Sequence, residues 1–126
     1  RLFSPVNNCM PWGYHYHYDV AGCSNVSDKE HVTGFIKELV TSIDMTPLGE
    51  PFVEHINVEG VDSGITAVQV ITTSSITAHF IDDTGDLYLD VFSCKEFDVN
   101  NVKAVVDKFF KPKLCAESYM TRQAPR

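Results

Sequence analysis

From Tyr14 to Val20 the chain reads Tyr-His-Tyr-His-Tyr-Asp-Val, with an aromatic or apolar side chain at every second position. A period of two in residues that favour extended backbone predicts a strand with one buried face, and it sets His15, His17 and Asp19 together on the other. The period then changes. Val32, Phe35, Ile36, Leu39, Val40 and Ile43 recur at helical steps behind Ser27-Asp28-Lys29-Glu30, which reads as a capping box, so a helix is predicted from Asp28 to about Ser42. Pro47, Gly49 and Pro51 end it, a short extended stretch runs from Phe52 to Val58, and residues 59–64 make a loop. Two strand-like runs come next, Ile65–Thr72 and Ser75–Ile81, joined through Thr72-Thr73-Ser74-Ser75, a hydroxyl-rich junction that neither pattern requires. Asp82-Asp83-Thr84-Gly85 is a turn signal, and Leu87, Leu89 and Val91 then alternate with Tyr88, Asp90 and Phe92, predicting a hairpin. Asp98 is a candidate N-cap for a second helix whose apolar face is Val102, Val105, Val106, Phe109 and Phe110, stopped by Pro112. A last strand is expected near Leu114–Met120. This order predicts an α+β fold, a two-layer sandwich of a largely antiparallel sheet with two helices on one face.

At 126 residues the chain fits one domain. The expected division is an N-terminal extension over residues 1–11, with Met10 a candidate start, and one domain over residues 12–126. Ten Lys and Arg against 17 Asp and Glu give a net charge of -7 with no basic stripe, which argues against a nucleic-acid partner and suits a small cationic substrate. The apolar runs fall far short of the roughly 20 residues of a membrane span, so no membrane association is expected. Cys9, Cys23, Cys94 and Cys115 lie far apart with no CxxC pair, and free thiols in a cytoplasmic protein are the expectation. His15 and His17, with His55 or His79, offer imidazoles, yet no third ligand sits at diagnostic spacing, and no metal site is expected.

The window from Gly64 to His79, followed by Asp90-Val91-Phe92-Ser93-Cys94, resembles the short prokaryotic S-adenosylmethionine decarboxylase proenzymes. In that family a strand of the type Gly-Val-Ser-Gly-Val leads to Glu-Ser-His, then a His five positions after the Ser and a Cys twenty positions after it. Ser74, His79 and Cys94 keep those spacings without a gap. Gly13, His15, Asp19 and Cys23 are similar to the family's opening Gly-x-His-x-x-x-Asp-x-x-x-Cys strand, so the resemblance extends over nearly the whole chain from about Trp12.

The resemblance implies a definite chemistry. Decarboxylating an amino acid leaves a carbanion at Cα, for which protein side chains offer no electron sink, so a carbonyl cofactor is needed. In the family it is a pyruvoyl group made from an internal Ser, which attacks the preceding peptide carbonyl; elimination from the resulting ester cuts the chain. By carry-over, Ser74 is the precursor and cleavage falls between Thr73 and Ser74. His79 assists processing, Cys94 protonates the product carbon as general acid, and Thr66 stands where the family places a processing Ser. Hydroxyl nucleophiles need a nearby base, and imidazole suits proton transfer at neutral pH. The implied partners are S-adenosylmethionine or another amino acid as substrate and a second copy of the chain, as a homodimer.

The family's Glu-Ser-His is Thr73-Ser74-Ser75 here, and its Thr-Trp-Pro-Glu segment after the His corresponds to Phe80-Ile81-Asp82-Asp83. That segment helps form the family's substrate pocket, making Ile81 and Asp83 the candidate substrate-binding residues. These departures keep two other readings open. One is a non-processing homologue that binds a nucleoside or amine, or partners an active paralogue. The other is a pyruvoyl decarboxylase of another amino acid such as ornithine or arginine. Ser75 in place of Ser74 would shorten both family spacings by one and turn the side chain to the opposite face of the strand.

Overall fold

The computed structural model describes residues 10–126, so most of the expected extension, with Cys9, lies outside the described residues. Six strands and two helices follow in the order β1 (Gly13–Ala21), α1 (Lys29–Ser42), β2 (Phe52–Ile56), β3 (Gly64–Ile71), β4 (Ser74–Ile81), β5 (Asp86–Ser93), α2 (Val99–Phe110) and β6 (Leu114–Arg122). They form the expected α+β architecture. The strands make one antiparallel sheet in the order β2-β3-β4-β5-β1-β6, so β1 is inserted between β5 and β6.

Alternation along each strand sends one set of side chains to the helices and the other to an uncovered face. Tyr14, Tyr16, Tyr18, Ile65, Ala67, Ile76, Ala78, Phe80, Leu87, Leu89 and Val91 are buried on the helix side. Phe35 of α1 and Phe110 of α2 close over Phe80, with ring centroids 4.9–6.3 Å apart in edge and tilted contacts that aromatic quadrupoles favour. The other face carries Phe52, Val70, Tyr88, Leu114 and Met120, all exposed, together with the polar Thr66, Thr77, His79, His15, His17 and Asp90.

Both helices start where the sequence predicts, with one change of residue at the first. Asp28, not Ser27, is the N-cap of α1, accepting from the backbone N–H groups of Glu30 and His31. Ser27 is released for another contact, described below. Asp98 caps α2 as expected, and a left-handed Lys111 ends it just before Pro112. Phe109, expected in the core, is only partly buried beside it.

At Gly64 two strands come too close for a side chain. A Cβ placed there would lie 1.6 Å from the backbone oxygen of Phe80, so only glycine lets β3 begin beside the end of β4.

Candidate active site

The junction that the sequence left without a structural purpose is a hairpin turn. Thr72 and Thr73 connect β3 to β4, with Ile71 paired to Ser74, and Ser74 pairs on its other side with Ser93. Ser74 takes φ 154°, a region nearly reserved for glycine, which stores strain on the order of 1–3 kcal/mol. Directly before it, the Thr73 carbonyl oxygen accepts the Cys94 backbone N–H at 2.9 Å. The Thr73 hydroxyl donates to Met45 Sδ at 3.3 Å and accepts from the Ser93 hydroxyl at 2.7 Å, while the Lys95 N–H donates to Ser93 Oγ. The peptide bond between Thr73 and Ser74 is thus fixed on its carbonyl side and strained on its nitrogen side. Ser93, which the Asp90–Cys94 motif includes without giving it a role, and Met45, which lies outside every motif, complete this corner.

Thr66 and His79 form a second group. They face each other across β3 and β4, with Thr66 Oγ1 3.3 Å from His79 Nδ1, and they line a cleft of about 290 Å³ with Ile56, Val61, Gly64 and Ile81. Five strand residues at about 3.3 Å each separate His79 from Ser74, roughly 16 Å, and the odd number places them on opposite faces. Within one chain, therefore, the spacing of Ser74, His79 and Cys94 does not gather one constellation. It yields two: Ser74 with Cys94 at the β3–β4 turn, and Thr66 with His79 at the far end of the same pair of strands.

Of the two candidate substrate residues, Ile81 lies in the cleft and Asp83 is exposed in the following turn. The neighbouring Asp82 is the better-connected acid. Its carboxylate accepts from Ser27 Oγ at 2.6 Å, Ser63 Oγ at 2.7 Å and His55 Nε2 at 2.8 Å, tying together the start of α1, the β2–β3 loop and β2. The Ser27 hydroxyl, followed by the Ser63 hydroxyl and the His55 imidazole, holds this carboxyl below its ordinary value of 3.8. Because the folded pKa is depressed, the stabilisation is present above the unfolded value and is lost as pH falls through the folded one. A Ser27→Ala chain is accordingly expected to show a higher Asp82 pKa by NMR titration and an acid-unfolding midpoint shifted to higher pH; identical titration curves would remove Ser27 from this role.

On the uncovered face, His15 and His17 of β1 converge on Asp90 of β5, the residue paired with His17. The third group near these imidazoles is thus Asp90, since His55 is held by Asp82 and His79 lies beside Thr66. Burial, and next the neighbouring His17, lower the His15 pKa below 6.5. Near His15, Trp12, Phe92, Arg122 and residues 123–126 enclose a recess of about 540 Å³, with the Trp12 and Phe92 rings 5.7 Å apart. Phe92 pairs with Ser75, so this recess lies toward the Ser74 end of the sheet.

Residues 14–123 match the family model for S-adenosylmethionine decarboxylase. The fold is similar to a crystal structure of the adenosylmethionine decarboxylase from Aquifex aeolicus VF5, with a TM-score of 0.79 over 94% of this chain and 96% of that one, at 16% sequence identity. No curated protein sequence matches the chain. Among the described residues no helix is long and apolar enough to cross a membrane.

Proposed function

Because the chain belongs to the S-adenosylmethionine decarboxylase family, we propose that it removes carbon dioxide from S-adenosylmethionine in the cytoplasm, feeding spermidine and other polyamine synthesis, with a pyruvoyl group made from its own Ser74. The observation that carries this reading is the peptide between Thr73 and Ser74: strained at the serine, with its carbonyl oxygen held by the Cys94 N–H.

Those features suit self-cleavage. When Ser74 Oγ adds to the Thr73 carbonyl carbon, negative charge grows on the oxygen that the Cys94 N–H already meets, an arrangement that stabilises the developing oxyanion. Breaking the C–N bond then releases the backbone strain and leaves Thr73 esterified to Ser74. Loss of a proton from Ser74 Cα expels Thr73 as a carboxylate and cuts the chain. Water then enters and ammonia leaves, converting residue 74 to a pyruvoyl group. That carbonyl supplies the electron sink that decarboxylation requires. Cys94, adjacent to Ser93 in the Ser74 pair, is the proposed proton donor to the product carbon. The aromatic walls of Trp12 and Phe92 suit a purine ring.

The separation of the two residue groups supports a homodimer. The uncovered face exposes Phe52, Val70, Tyr88, Leu114 and Met120 among its polar residues, and no helix packs over it. An isologous pairing of two such faces about an axis running across the strands reverses strand ends, setting the Thr66 and His79 pair of one copy toward the Ser74 corner of the other. His79 would then act on processing from the second chain.

Intact-mass measurement of the purified protein is expected to show two fragments, residues 1–73 and 74–126, the second blocked at its N-terminus, and carboxyl-labelled S-adenosylmethionine should yield labelled carbon dioxide. A chain that stays whole, resists hydroxylamine and releases no carbon dioxide would overturn the reading; if that chain still binds S-adenosylmethionine by calorimetry, it is a non-processing homologue. A cleaved chain that releases carbon dioxide only from ornithine or arginine would retain the chemistry and change the substrate.

A further inference from the structure

His15 Nε2, His17 Nε2 and Asp90 Oδ1 form a nearly equilateral triangle on the uncovered face of the sheet. The two nitrogens are 3.1 Å apart, and each lies 3.3 Å from the carboxylate oxygen. Hydrogen bonding alone accounts poorly for this triangle. Each ring N–H can point at Asp90 Oδ1, which satisfies two edges, but the other corners of such a triangle stand about 60° apart, so the two nitrogens are left facing each other at 3.1 Å with no proton between them. A cation bound to all three atoms satisfies every edge at once. Bonds of about 2.0–2.1 Å in tetrahedral geometry set neighbouring ligand atoms roughly 3.3 Å apart, the separation seen on two edges and nearly reached on the third.

We propose that His15, His17 and Asp90 bind a divalent transition-metal ion, Zn2+ or one of similar preference, with its fourth position open to the space over the sheet. Two imidazoles and one carboxylate favour Zn2+ and its transition-metal neighbours over Mg2+ or Ca2+, which take oxygen ligands. The site is built from rigid elements: two alternate residues of β1 and the residue of β5 that pairs with one of them. The Thr77 hydroxyl, 3.5 Å from the second oxygen of Asp90, lies where it orients the carboxylate. In a single chain, side-chain exposures of 19%, 39% and 39% leave the three groups within reach of an ion from solvent; in the face-to-face pairing proposed above, the same groups lie between the two copies.

Arg122 competes with the ion. Its Nη1 stands 3.2 Å from His15 Nδ1, and a guanidinium only donates, so without metal that nitrogen accepts and Nε2 carries the ring proton. Coordination through Nε2 requires the proton to leave that nitrogen and Nδ1 to take one from water, which displaces the guanidinium. The Phe92 ring, 4.9 Å from the guanidinium carbon, is the surface onto which Arg122 can withdraw. Arg122 therefore sets how tightly the site binds.

Equilibrium dialysis of the full chain against Zn2+, followed by elemental analysis, should find one ion per chain. His17→Gln and Asp90→Asn should each weaken binding about 100-fold or more, and Arg122→Met should strengthen it. All three side chains sit outside the core, and circular dichroism of the variants confirms their folding. Zn2+ should also shift the ring-proton NMR signals of His15 and His17 in the unsubstituted chain, an observation that needs no variant. The absence of stoichiometric uptake, uptake unaffected by His17→Gln and Asp90→Asn, or His15 and His17 signals that stay fixed would each overturn the site; an unchanged affinity in Arg122→Met would overturn the competition. Cleaved and whole chains serve equally, so the outcome does not depend on the chemistry at Ser74.

Discussion

A Ser74→Ala chain is expected to remain a single 126-residue polypeptide by intact mass and to release no carbon dioxide, because no other residue offers an oxygen to the strained Thr73 carbonyl from the following position. The adjacent Ser75 does not substitute. It sits one residue further along β4, where alternation turns its side chain to the other face, and the carbonyl preceding it is that of Ser74, outside the Cys94 contact. Replacing His79 by alanine should instead slow cleavage by about 10²- to 10⁴-fold, the usual worth of a positioned acid or base. The two variants together test whether the site is shared. If Ser74 of one copy is served by His79 of the other, co-expressing Ser74→Ala and His79→Ala chains assembles mixed dimers in which one of the two sites is whole. Cleavage of the His79→Ala chain should then recover. If cleavage stays at the level of the His79→Ala chain alone, the two residue groups do not meet across a dimer.

The second large effect is on stability. Gly64→Ala forces a methyl group to within 1.6 Å of the Phe80 backbone oxygen and 2.7 Å of its carbonyl carbon, and neither is the flexible end of a side chain. Relief requires β3 and β4 to part where Phe80 is clamped between Phe35 and Phe110. A loss of about 4 kcal/mol or more is expected in urea unfolding, in the range reserved for backbone collisions and core disruption. A loss below about 1 kcal/mol would show that the strands can separate there at little cost. Because Thr66 follows two residues later, the same change should also open the cleft it shares with His79.

Periodicity gave the elements because each is a local pattern: the Tyr-His repeat reads as β1, and the three- and four-residue steps read as α1 and α2, with ends within a residue or two of those observed. Spacing was a weaker guide to the site. It identified Ser74, Thr66, His79 and Cys94, but a count along one chain does not say which residues meet. The odd interval between Ser74 and His79, once both lie on one strand, already places them on opposite faces. The sequence does not link Asp90 to His15 and His17, because β1 lies next to β5 only through a long-range pairing that no local signal encodes. In the sequence Asp82 is a turn residue, which it also is in the fold, but its hydroxyl donors come from segments distant in sequence. The same contact explains the shifted cap: once Ser27 is spent on Asp82, Asp28 takes over the start of α1.

The place of β1 in the sheet has a consequence for the life of the molecule after cleavage. A cut before Ser74 leaves β1, α1, β2 and β3 on one polypeptide and β4, β5, α2 and β6 on the other. These pieces are interlaced rather than side by side, because β1 is threaded between β5 and β6 while β3 remains laddered to β4. Neither piece holds a complete sheet, so the nicked protein should stay assembled without any covalent link. Its refolding from denaturant, unlike that of the uncut chain, then becomes a bimolecular reaction, and its recovery should depend on protein concentration.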